Sequence, residues 1–224
     1  MIVVVGQPVL RSTSEGPVAS GPAARIALSA ASRGAAVQLI GKIGEDPAGD
    51  ELLLALTRGS VGHVALLRDP TRETPRLMDR ALDPAGGADE DDGSLPVEPV
   101  DPTRRPGLDV GDIELGLRYL TEFRVIVSTE PLDGAVARVV SDAAGWAGAT
   151  VVALVPEGGR EPDGLPDGAI VLASPPDDPD GTFARFVGEM AAAIDAGSEP
   201  ATAFRDAVAA DGWEPAERTE AEAD

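Results

Sequence analysis

The chain has 224 residues, of which 18 are basic and 39 acidic, giving a formal net charge of -21, and it has no cysteine. A surface of that sign repels phosphate backbones and anionic headgroups, which argues against nucleic-acid and membrane partners. The missing cysteine removes disulfides, thiolate nucleophiles and Cys-ligated metals. Hydrophobic residues make up 43% but aromatic residues only 3%, so a core has to be assembled from Ala, Val, Leu and Ile.

Met1 to Val5 is a β-branched run closed by Gly6 and Pro8, the pattern of a central strand buried on both faces. Arg11 to Gly21 is rich in Ser, Gly and Pro and reads as a loop. Pro22 to Arg33 carries Ala23, Ile26, Ala27, Ala30 and Ala31 at helical spacing, with Pro22 in the first turn and Gly34 at the end. Val37 to Ile40 reads as the next strand, and Gly41 to Asp46 as a turn. A second helix, Pro47 to Leu56, is opened by Asp46 as N-cap. Val64 to Leu67 and Arg76 to Leu82 are short strand candidates. Asp83 to Pro106 is an Asp/Gly/Pro-rich solvated loop, with a further short strand candidate at Val97 to Val100.

The spacing of Val110, Ile113, Leu117 and Leu120 marks a helix, and Val125 to Val127 a strand. A helix over Leu132 to Ala147 and a strand over Val151 to Leu154 follow, then a short strand at Ile170 to Leu172. Two helices, Thr182 to Ala196 and Pro200 to Ala209, close the pattern, and an acidic, fraying tail starts at Asp211. Strands alternating with helices imply one three-layer α/β/α sandwich on a mainly parallel central sheet. It spans 1–210, with 211–224 as the tail. No run approaches the ~20 apolar residues of a membrane span. The start of the chain has no basic n-region, so a soluble cytoplasmic protein is expected.

Four segments resemble the ribokinase-like (PfkB) carbohydrate kinases. VVVGQPVL at Val3 to Leu10 is similar to the first strand and its turn. The stretch Ser20 to Leu56, SGPAARIALSAASRGAAVQLIGKIGEDPAGDELLLAL, is similar to the first signature. Phe123 to Glu157 matches the mid-chain strand, Glu-x-Pro segment, helix and strand. Asp180 to Ala210 matches the helix pair after the second signature. The resemblance implies a ribokinase-like fold. It also implies a Gly-Ala-Gly-Asp turn at a helix N-terminus, whose N–H groups form an anion hole for the transferred phosphoryl group and whose Asp is the base.

This sequence departs from that pattern at the reacting positions. Asp178-Pro179-Asp180-Gly181 stands at the anion-hole turn, so negative charge and a proline replace N–H donors, and helix capping by Asp178 or Asp180 is the simpler use of the acids. The sugar-contacting Gly-Gly-x-x-Ala-Asn becomes Ser20-Gly21-Pro22-Ala23-Ala24-Arg25, and Arg11 falls where an Asp is expected. Arg11 and Arg25 suit a bidentate anion contact or serve simply as surface charges. The lid excursion, Ser12 to Ser20, is too short for a full hairpin pair. Only Gly158 to Pro179 stands in for the nucleotide half, and with no Asn anywhere there is no Asn-x-x-Glu to organise Mg²⁺.

Gly41-Lys42 lacks the flanking residues of a Walker loop, because Ala36 and Ile43 stand where Gly and Ser or Thr are needed. Lys42 is the sole lysine and either faces the cleft or is a turn residue. Asp89 to Asp92 lacks EF-hand spacing and reads as a solvated acidic run. His63, the only histidine, cannot build a multi-His metal site. Glu130, at the carboxyl end of a strand, is placed where α/β sheets bind ligands.

The candidate ligand-binding residues are therefore Gly6, Gly21, Arg25, Lys42 and Glu130, with Asp180 the sole catalytic candidate and no metal site. The expectation is a degenerate ribokinase-like protein without phosphotransferase activity. Such a chain would bind a small molecule or act as scaffold or regulator, would need no cofactor, and would form homo-oligomers, a dimer first. The alternative is an ATP-dependent sugar or nucleoside kinase with a rearranged site, using Asp180 as base, Arg25 or Lys42 on phosphate, and ATP with Mg²⁺ as cofactors.

Overall fold

A computed structural model describes residues 1–78, 104–160 and 162–211. The expected β-branched runs form a parallel sheet. β1 (Ile2–Val5) lies between β4 (Val37–Gly44) and β8 (Val125–Ser128), and β9 (Thr150–Pro156) and β10 (Ile170–Ser174) extend the sheet beyond β8. On the other side, β4 pairs with β5 (Val61–Gly62) through its first residues and with β6 (Leu66–Asp69) through its last. All four residues of β1 are buried, with Ile2 and Val4 facing one layer and Val3 and Val5 the other. This is the burial on both faces that a continuous apolar run encodes.

One layer holds α1 (Gly21–Ser32), α2 (Pro47–Arg58), α5 (Thr182–Asp195) and α6 (Pro200–Asp211). The other holds α3 (Val110–Tyr119) and α4 (Gly134–Ala147). α1 presents Ala23, Ala27 and Ala30 to the core, and α5 approaches it so closely that a Cβ on Gly188 would meet the Ser29 Cβ at 2.6 Å. Small residues thus let backbones come together in a core with few aromatic side chains. Among the described residues no helix is long and apolar enough to cross a membrane.

Three expectations need correction. The span read as a loop too short for a hairpin pair forms one. β2 (Val9–Thr13) and β3 (Gly16–Ser20) are antiparallel, and β7 (Arg76–Met78) adds a third strand to make a small separate sheet. Its strands carry polar residues and Pro17 because they form a half-exposed lid with edges rather than a buried layer. Second, Gly41 to Gly44 continues β4 instead of turning; a Cβ on Gly41 would lie 2.9 Å from the Gly6 carbonyl oxygen, so the glycine serves tight packing. Third, Val64 and Ala65 form a turn, so the strand expected at Val64 to Leu67 starts at Leu66 and runs to Asp69 as β6, and the unexpected two-residue β5 precedes the turn. The expected strand at Val97 to Val100, the run Asp89 to Asp92 and the acidic tail from 212 onward lie outside the described residues, as does the end of the Arg76 to Leu82 strand.

Candidate functional site

At the carboxyl ends of β1, β4 and β8, hydrogen bonds join Gln7, Lys42 and Glu130, partly through their backbones. The Gln7 N–H donates to Glu130 Oε1 at 2.9 Å, and its side-chain amide donates to the Lys42 carbonyl. Lys42 Nζ in turn donates to Asp112 Oδ2 at 2.7 Å. The hydrogen bond to Asp112 raises the Lys42 pKa above its ordinary value despite the opposing effect of burial, and the charges of Asp112, Asp109 and Asp69 add to the rise. Asp112 also closes a capping box on α3 with Asp109, so its position is fixed by the helix it begins. Glu130 and the Lys42 backbone are thus linked only through Gln7, and the Lys42 side chain reaches an internal carboxylate instead.

The glycines at the same end serve close approach. A Cβ on Gly6 would fall 1.9 Å from Thr129 Oγ1. Gly21 opens α1 at φ +80°, and a Cβ there would lie 3.0 Å from Val9 Cγ2 of the lid. Arg11 lies in β2, across the ladder from Val18 and Leu77.

Just beyond the Gly44 end of β4, Asp46 caps α2 through the Gly49 N–H at 2.7 Å and accepts both the N–H and the hydroxyl of Thr74, at 2.9 and 2.7 Å. Burial pushes the Asp46 carboxyl up, but the bonds from Thr74 and Gly49, with the charge of Arg76, outweigh it and hold the pKa below its ordinary value. Thr74 is itself buried and accepts the Gly44 N–H. One carboxylate therefore ties a strand end, a helix start and the approach to the lid strand β7.

At the α5 end the arrangement is different. β10 leads within a few residues to Asp178, whose carboxylate reaches over the turn and accepts the N–H groups of Phe183 and Ala184 at 3.1 and 3.0 Å. Gly181, at φ +70°, is the N-cap and has no side chain to offer, which leaves that place to Asp178 from three residues upstream. Arg25 of α1 holds the turn from outside by donating to the Asp178 and Pro179 carbonyls. Its guanidinium is used on backbone oxygens, in the structural role rather than the anion-binding one. Asp180 is exposed, one residue ahead of the cap.

Beside this turn a cavity of about 170 Å³ opens between the carboxyl ends of β8, β9 and β10 and the starts of α1 and α5, and Asp178 lines it. Sequence reasoning named Asp178 as a cap and as negative charge at the anion-hole turn, not as a cavity wall; it missed Gln7, Asp112 and Thr74, which bond to residues 28 or more positions away in the chain. Among the described residues no group of three His, Cys, Asp or Glu side chains could hold a metal ion. With no Asn in the chain, the residues present do not fit the Mg²⁺-organising segment that the resemblance implies.

The sequence matches no protein-family model and no curated protein. Solved structures do match. A PfkB protein from Polaromonas sp. JS666 aligns with a TM-score of 0.61 at 16% identity, over 95% of this chain and 96% of that one. The ribokinase of Arabidopsis thaliana, complexed with ribose and ATP, aligns at 0.57 and 15% identity, over 94% of this chain and 90% of that one. The fructokinase of Vibrio cholerae O395 aligns at 0.55 and 17% identity, over 95% and 96%. At these identities the likeness establishes the architecture: this is the ribokinase-like α/β fold.

Proposed function

We propose that this chain uses a ribokinase-like fold to bind a small molecule without transferring phosphate to it, as a binding or regulatory protein. One observation carries the reading. The N-terminus of α5, where the resemblance puts an anion hole, is closed by the chain's own Asp178, which takes the Phe183 and Ala184 N–H groups. A phosphoryl group arriving there would compete with an intramolecular carboxylate and be repelled by it. The partnered Lys42 and the clamped Arg25 support the same reading, since the two cations that the kinase alternative puts on phosphate are engaged with acceptors of the chain.

Calorimetric titration with ATP and Mg²⁺, alongside an ADP-release assay over a panel of sugars and nucleosides, tests it. No saturable heat and no turnover are expected. Turnover that disappears in Asp180→Ala would replace this reading with the rearranged kinase. We further propose that the chain self-associates. The Trp146 side chain, 93% exposed on α4, and a groove of about 560 Å³ between α3 and α4 support this. Light scattering should give a mass above 22.8 kDa that falls on dilution, and a concentration-independent monomer would refute it.

A further inference from the structure

The cavity beside Asp178 has an unusual hydrogen-bonding inventory. Its lining includes Pro22, Pro131, Pro156, Pro175 and Pro176, five residues with no N–H to offer. The two hydroxyls that line it are already committed as donors: Thr129 Oγ1 donates to the Val5 carbonyl at 3.2 Å, and Ser174 Oγ to the Val155 carbonyl at 3.3 Å. The Thr129 N–H also goes to Val5, and the Phe183 and Ala184 N–H groups go to Asp178. What these groups leave toward the cavity is acceptor capacity. The Thr129 and Ser174 oxygens keep lone pairs, and each Asp178 oxygen has accepted one N–H and can accept another donor. The rest of the wall is apolar, with Ile26, Leu154 and Phe183.

A donor-poor, acceptor-rich, apolar-walled space selects against anions, which need donors, and for a ligand that brings its own N–H groups on an apolar body. The volume, about 170 Å³, is close to that of a cavity known to take a six-membered ring, roughly 150 Å³. A cation also suits the sign of the whole molecule, -21, which raises the local concentration of positive ligands. Deepening the non-phosphorylating reading above, and resting on it, we propose that this cavity binds a small organic ammonium carrying a ring-sized apolar group, its N–H groups directed at Asp178 and Thr129.

Three probes of one shape test this on the full chain: cyclohexylammonium, cyclohexanol and cyclohexanecarboxylate, titrated separately and followed by calorimetry and amide chemical shifts. The ammonium should bind tightest, the alcohol more weakly and the carboxylate not at all, with shifts at Phe183 and Ser174. Asp178→Asn should weaken the ammonium by at least about tenfold, the scale of one charge-assisted hydrogen bond. Thr129→Val, which keeps the shape and removes an acceptor, should weaken it about threefold or more. Glu51→Gln, exposed on α2, removes one negative charge equally at a distance from the cavity and should leave the affinity unchanged.

Binding of the carboxylate as well as or better than the ammonium, absence of ammonium binding, or an equal loss in Glu51→Gln would overturn the proposal. If the Asp178 variant does not fold, Thr129→Val and the ranking of the three probes still decide. Failure of the ammonium to bind, with no nucleotide binding, leaves the non-phosphorylating reading standing, whereas saturable ATP binding removes that reading whatever the amine does.

Discussion

Helices α2 and α5 both follow strands of the central sheet, and both begin against an aspartate of their own chain, yet the two aspartates do different work. Asp46 sits at the N-cap itself and gathers Gly49 and Thr74, so its bonds join residues 28 positions apart and anchor the lid strand. Asp178 stands three residues ahead of the Gly181 cap and bonds only N–H groups of its own helix. Removing Asp46 unties three elements. Removing Asp178 frees two N–H groups at the end of a helix and little else. The first carboxylate therefore belongs to stability, and the second occupies N–H donors that an anion at α5 would need.

The largest effect is expected at α2. Asp46→Ala should cost about 3 kcal/mol, the loss of charge-assisted hydrogen bonds that leaves a buried Thr74 without its acceptor. Urea unfolding measures it, and a loss below about 1 kcal/mol would show that Asp46 does not hold these elements together. Its pH dependence follows from the depressed folded pKa. The stabilisation is complete above the unfolded value of about pH 4 and is lost as pH falls through the lower folded value. The stability gap between the native chain and Asp46→Ala should therefore hold steady from about pH 8 to about pH 5 and narrow below pH 4. A gap unchanged in strong acid would contradict the assignment.

Lys42→Met should cost about 1–2 kcal/mol, because it leaves a half-buried Asp112 without its cation. For this pair the pH window is the opposite one. The folded pKa of Lys42 is raised, so its contribution is full below about pH 10 and is lost as pH rises through the higher folded value. Stability curves of the native and Lys42→Met chains that stay parallel through strong alkali would break this.

The smallest change in stability, about 1 kcal/mol, is expected for Asp178→Ala, an ordinary cap loss. A cost as large as that of Asp46→Ala, measured in the same urea series, would erase the contrast between the two ends.

The contrast also shows what the sequence could disclose. Asp46-Pro47 is a cap written in adjacent residues, and the β-branched run at Met1 to Val5 and the Ala spacing of α1 are local signals; all three could be read directly. The hairpin of β2 and β3 could not, because short strands rich in Ser, Gly and Pro on a half-exposed sheet look like loop. Gly41 and Gly44 suggested a turn because glycine marks turns and tight packing alike, and only their neighbours, the Gly6 carbonyl at Gly41 and the Arg72 carbonyl at Gly44, tell the two apart. The partnership of Lys42 with Asp112 joins positions 70 apart, and no periodicity carries that information. At α5 the sequence did show acids where donors were needed; which of Asp178 and Asp180 caps the helix depended on the turn geometry that Gly181 permits.

The central claim is that Asp178 closes the α5 N-terminus to anions. Amide spectra of the native chain and of Asp178→Ala, recorded during titration with inorganic phosphate, test it at the atoms concerned. The Phe183 and Ala184 amides of the native chain should stay in place while those of the variant shift and saturate. Saturable shifts of both amides in the native chain would contradict it.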